Sequence, residues 1–247
     1  MTLYKGVREW FARINAYGAA RGIRILHYIN SSGLKEIIEG TEIAHEFRRI
    51  YACSFLYDID GVAYWPAVAV NYTNKTQFIF KINKGVESVF DSKLVNQYIE
   101  EDKRPVPFRR MIYVGDGTTD IPCMRLVKNS GGHSIAVYNP EIRNARRELN
   151  GLIRDNRVSH VCPADYSEGS EMDTLVKTII DKIEADHRLE LLETPPHVAQ
   201  RNPLRFDGKP SPGFRKNTQH TQAIRNDPEI RRNRTIRYVY ENHLCNQ

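Results

Sequence analysis

The stretch Tyr113-Val114-Gly115-Asp116-Gly117-Thr118-Thr119-Asp120 reads as the end of a short apolar strand, a glycine-flanked turn and the approach to a helix. The strand is expected over Met111–Val114 and the helix near Pro122–Val127. A strand that feeds directly into a helix is half of a parallel β-α-β unit, and in such sheets ligands bind beyond the carboxyl ends of the strands. Gly115 and Gly117 permit a sharp turn that leaves the Asp116 carboxylate exposed. Asp116 and Asp120, one on the loop and one at the helix start, are spaced to converge on a hard cation. An ordinary Gly-Asp-Gly turn with Asp120 as helix N-cap accounts for the same residues.

The same alternation extends both ways from this turn. Downstream, a strand at Ser134–Tyr138, a helix from Glu141 to Asp155 and a short strand at Val158–Val161 are expected. Met172, Leu175, Val176, Ile179, Ile180 and Ile183 then form one apolar helical stripe. Upstream, Val7, Trp10, Phe11, Ile14 and Tyr17 have helical spacing, Ile23–Ile29 reads as a strand, and residues 50–72 look extended with a turn at Asp58-Ile59-Asp60-Gly61. A helix is expected from Lys75 to Ile82, and 85–108 is polar and irregular. Alternating strands and helices predict an α/β fold, a doubly wound and mostly parallel sheet covered on both faces.

Two further segments pair with the aspartate turn. Ile25-Leu26-His27-Tyr28-Ile29-Asn30-Ser31-Ser32-Gly33 is an apolar strand ending in small polar residues, with a helix expected from Leu34. A hydroxyl and free N–H groups at a helix start suit a phosphate, although Ser31 or Ser32 could simply cap that helix. Lys75 opens the next helix, where a cation is unfavourable unless an anion stands nearby.

In order and placement these segments resemble the later motifs of the haloacid dehalogenase superfamily of hydrolases, in its phosphoserine-phosphatase-like branch. Ser31 matches the strand-end Ser/Thr, Lys75 the lysine at a helix start, and Asp116 with Asp120 the Gly-Asp-Gly-x-x-Asp turn. The likeness covers about residues 5–190, including Ala164-Asp165-Tyr166-Ser167-Glu168-Gly169-Ser170. It implies a Mg2+-dependent phosphomonoester hydrolase acting on a small phosphorylated substrate. Asp116 and Asp120 would serve the metal. Ser31, Ser32, Gly33 and Lys75 would bind the phosphoryl group, with Ser31, Lys75, Asp116 and Asp120 as the catalytic set. Positioning and charge stabilisation dominate such chemistry.

That family's first motif, a strand followed by Asp-x-Asp with a nucleophilic first Asp, is not found ahead of Ser31, where the chain reads as a helix. The strand that carries it would lie between those ending at Ser31 and Gly115. The sheet is therefore expected to be incomplete at its N-terminal end, and an upstream segment or partner chain to complete the site. An inactive binding domain is the alternative. Asp58-Ile59-Asp60 has the right local look, but it lies out of order and reads as a hairpin turn.

Composition frames these expectations. The chain has 247 residues and a net charge of +6. Residues 196–247 hold ten Lys/Arg against four Asp/Glu, so the remainder is neutral. Residues 1–192 are expected as the hydrolase-like domain and 193–247 as a basic, disordered tail. A basic nucleic-acid-binding body is not expected, although Arg231-Arg232-Asn233-Arg234 with Tyr238 and Tyr240 would allow association through the tail. No apolar run approaches the length of a membrane span and no leader pattern is visible, so the expected compartment is the cytoplasm. The four cysteines fit neither a zinc template nor a disulfide framework.

Overall fold

The computed structural model describes residues 2–193, 234–240, 245 and 246. Its elements are β1 (Thr2–Leu3), α1 (Val7–Ala19), β2 (Ile23–Leu34), α2 (Lys35–Glu39), β3 (Phe47–Tyr57), β4 (Ala63–Val68), α3 (Lys75–Lys84), α4 (Ser92–Asn96), β5 (Met111–Gly115), α5 (Ile121–Asn129), β6 (His133–Tyr138), α6 (Ala145–Arg154), β7 (His160–Pro163), α7 (Glu171–Glu193), β8 (Arg234–Tyr240) and β9 (Cys245–Asn246).

Seven strands form one sheet in the order β4-β3-β2-β8-β5-β6-β7, and β1 pairs with β9 in a separate ribbon. Every neighbouring pair of the large sheet is parallel except β3 with β4. The expected α/β class with a mostly parallel, two-sided sheet is therefore observed. One core layer packs α1 and α7 on the sheet through Trp10, Phe11, Ile14, Met172, Val176 and Ile180. The other packs α3 and α5 on the opposite face through Phe78, Ile79, Cys123, Met124 and Val127.

The expectation for the C-terminal segment is corrected over Arg234–Tyr240. These residues form the central strand, with Ile25 opposite Ile236 and Ile29 opposite Tyr240 on one side, and Tyr113 opposite Val239 on the other. Ile236, Tyr238, Val239 and Tyr240 are at most 1% exposed. The neighbour that β2 and β5 were expected to lack is thus supplied by the C-terminal part of this chain. The physical reason is backbone satisfaction: two parallel strands flanking an empty slot would bury unpaired N–H and C=O groups. The remainder of the expected tail, 194–233, lies outside the described residues.

A buried polar chain ties β8 to α1. The Trp10 indole N–H donates to the Tyr240 hydroxyl at 3.0 Å, and that hydroxyl lies 3.2 Å from His27 Nδ1. His27 Nε2 lies 2.9 Å from Asn15 Oδ1, an acceptor, so the ring proton belongs on Nε2 and Nδ1 accepts from Tyr240. Burial pushes the His27 pKa down to about 3, which keeps the imidazole neutral in this role.

Asp58-Ile59-Asp60-Gly61 is the hairpin turn between β3 and β4, as the sequence indicates. The Asp58 carboxylate accepts from the N–H groups of Asp60 at 3.0 Å and Val62 at 2.8 Å, and Gly61 takes a φ of 79°. That use of the side chain as a turn acceptor accounts for the Asp-x-Asp look. Cys123 and Cys162 are buried free thiols and Cys53 is half-buried.

Candidate site at the carboxyl ends of the central strands

Lys75 and Asp120 meet where β2, β8 and β5 end. The Lys75 ammonium lies 3.0 Å from Asp120 Oδ1, and both side chains are shut off from solvent. The Tyr113 hydroxyl donates to the same carboxylate oxygen at 2.6 Å. Asp120 Oδ2 faces the Gly117 N–H at 3.4 Å. The turn sequence builds this directly. Gly115 lets Asp120 fold back over the strand end, because a Cβ at 115 would stand 2.8 Å from Asp120 Cβ and Cγ.

Asn30, the first β2 residue beyond the pairing with β8, fixes the other end of the lysine. Its amide Nδ2 donates to the Lys75 carbonyl at 3.1 Å. That carbonyl cannot donate, so the amide cannot flip, and Asn30 Oδ1 is left buried without a hydrogen-bond partner. Lys75 therefore has its backbone anchored at β2 and its ammonium at the turn after β5, the two strands that flank β8. The unfavourable placement of a cation at the start of α3 is offset by Asp120, the nearby anion it required.

The remaining expected residues stand apart from this pair. Asp116 is exposed on the loop, so Asp116 and Asp120 do not converge as two free carboxylates: Asp120 is engaged by Lys75, Tyr113 and Gly117. Among the described residues no group of three His, Cys, Asp or Glu side chains is brought together in a metal-holding cluster. Ser31 is buried, and its hydroxyl accepts from the Gly33 N–H at 2.9 Å. The helix expected from Leu34 is present as α2, with Leu34 as its N-cap, but the turn expected at Ser31-Ser32-Gly33 is corrected: β2 runs on through these residues, and α2 is only five residues long. So short a helix gives Ser31 no helical end at which to hold an anion.

Two members of the cluster were not assigned from sequence. Tyr113 stood inside the quoted motif, and a tyrosine in an otherwise aliphatic buried strand signals that its hydroxyl needs a partner. Asn30 gave a similar signal as an amide directly after an apolar strand.

No family model matches the chain. A protein of Borreliella burgdorferi, named only as uncharacterized, is 29% identical over 177 residues. The match takes in 63% of this chain, which spans about half the length of that relative, 56% of it.

Proposed function

We propose that the chain binds a phosphorylated small molecule at the carboxyl ends of β2, β8 and β5, as a phosphohydrolase of the haloacid dehalogenase type. The observation that carries this reading is the buried Lys75–Asp120 pair at 3.0 Å, held at the strand ends of a parallel sheet. The strand order adds support, since a central strand lies between the ends marked by Ser31 and Gly115, where the family resemblance calls for one. In this reading Lys75 offers the cation to phosphoryl oxygens. Asp120, itself held by the Tyr113 hydroxyl, holds its ammonium, Asn30 holds its backbone, and Ser31 stands at the adjoining strand end. The cluster is closed to solvent, so entry of a ligand requires the covering groups to part.

Magnesium enters this proposal through Asp116 alone, because Asp120 is already engaged by Lys75. The described residues therefore do not make a magnesium site by themselves. The residues that follow β8 in sequence are Glu241-Asn242-His243, not Asp-x-Asp, and they lie outside the described residues. A second reading, a phosphate-binding domain without turnover, is favoured by one observation: Asp120 is engaged by Lys75, Tyr113 and Gly117 while Asp116 stands exposed, so the two turn carboxylates do not converge on a metal.

The test is hydrolysis of an aryl phosphate by the full chain with and without Mg2+, beside binding of inorganic phosphate. Turnover is expected, and Lys75→Met is expected to reduce it by about 100-fold or more. Binding without turnover selects the second reading. A folded chain that neither binds nor hydrolyses overturns both.

A further inference from the structure

Three buried side-chain atoms find no hydrogen-bond partner among the described residues: Asn30 Oδ1, Glu36 Oε2 and Tyr238 Oη. The Glu36 carboxylate still accepts from the Phe55 N–H at 3.2 Å through its other oxygen. Tyr238 lies in the core layer of α1 and α7. Asn30 touches Lys75, a member of the buried ion pair.

Asn30 is fully buried, and its orientation is fixed because Nδ2 donates to the Lys75 carbonyl at 3.1 Å. Oδ1 belongs to the same planar amide, so this acceptor lies next to the start of α3. A buried carbonyl oxygen without a donor is costly to keep, and such an atom marks a place where a donor arrives. The donors of the cluster are engaged elsewhere. The Tyr113 hydroxyl and the Gly117 N–H are directed at Asp120, at 2.6 and 3.4 Å.

Charge points the same way. Asp120 lies 3.0 Å from the Lys75 ammonium and balances it. An anion entering here meets a cation, but also a carboxylate and a bare amide oxygen, and both of these repel an oxyanion that carries no proton. An oxyanion that keeps a proton accepts from Lys75 and donates to Asn30. Inorganic phosphate keeps at least one proton at neutral pH, whereas sulfate, of the same shape, keeps none.

We propose that Asn30 Oδ1 accepts the P–OH hydrogen of inorganic phosphate bound at Lys75, and so selects phosphate over sulfate. This rests on the reading of the Lys75 cluster as a phosphate site. The ion is the product in the hydrolase reading and the ligand in the binding reading. A site built to bond a ligand hydroxyl rejects the analogue that lacks it, because the buried acceptor is then left unpaired.

The experiment is isothermal titration calorimetry on the full chain at pH 7, with inorganic phosphate, arsenate and sulfate at equal ionic strength. Arsenate keeps a proton as phosphate does and is expected to bind like it. Sulfate is expected to bind at least about tenfold more weakly. Asn30→Leu, checked for a cooperative melt, is expected to bring the phosphate and sulfate affinities within about twofold of each other. The wild-type comparison stands even where that variant does not fold. Equal binding of phosphate and sulfate by wild type overturns the inference and leaves anion binding at Lys75 standing, with a water on Oδ1. A preference that survives Asn30→Leu overturns the assignment to Asn30. Binding of none of the three anions overturns the phosphate reading itself, and this inference with it.

Discussion

Ending the chain at Asn233 would remove β8 and β9 together. The side chains lost from the core are Ile236, Tyr238, Val239 and Tyr240, each at most 1% exposed. Burial stabilises by about 1.5–3 kcal/mol per large apolar side chain, so the loss is on the order of 6–12 kcal/mol. Whole domains are stable by only about 5–15 kcal/mol. The deletion also strips β2 and β5 of a shared neighbour and leaves Trp10 and His27 without the Tyr240 hydroxyl. The truncated chain is therefore expected to lose its cooperative urea transition and the dispersed amide spectrum of the full chain. A peptide of residues 234–247 added in trans is expected to restore part of both. A truncated chain that melts like the full one would refute the placement of β8 at the centre of the sheet and return those residues to a dispensable tail.

Three further outcomes are expected. Asp120→Asn removes the carboxylate 3.0 Å from the buried Lys75 ammonium and should cost about 3–5 kcal/mol in urea unfolding, whereas replacing both residues by apolar ones of similar volume should cost much less; equal losses would speak against a buried ion pair. His27 and His133 have pKa values lowered to about 3 and about 4, mainly by burial. Both are neutral in the folded state, so their contribution is full above the ordinary histidine value of ~6.5 and is lost as pH falls below it, at up to ~1.4 kcal/mol per unit for each group. His27→Phe should show a smaller fall in urea midpoint between pH 7 and pH 5 than wild type, and an equal fall would contradict the buried neutral ring. Gly6 has a φ of +78°, and a Cβ there would stand 2.3 Å from the Ser167 nitrogen, so Gly6→Ala should lower stability by about 1–3 kcal/mol, read as a drop in melting temperature.

Much of the sheet follows from local pattern. The stripe Val7-Trp10-Phe11-Ile14-Tyr17 made α1, and its first four residues are buried. The apolar run Met111–Val114, closed by glycine, made β5. Asp58 and Gly61 made the hairpin turn, because their spacing is a property of four consecutive residues. Lys75 and Asp120 were picked out one by one, and the helix-start argument already required an anion near Lys75. That the anion is Asp120, 45 residues away, is a matter of which strand ends share an edge.

The sequence by itself determined the α/β class, most element positions and the candidate lysine and aspartates, since all of these rest on periodicities and turns a few residues long. The tertiary structure alone decided the partners. Ile236-Arg237-Tyr238-Val239-Tyr240 carries strand-forming residues, yet a short strand beside arginines has no local mark of being central or parallel. Its neighbours, β2 and β5, lie far away in sequence on either side of the slot it fills. Likewise Asp116 and Asp120 look equivalent in the turn. Only folding of Asp120 back over Gly115 gives one carboxylate to Lys75 and leaves the other in solvent, because backbone and charge satisfaction in a buried site are settled by long-range pairing.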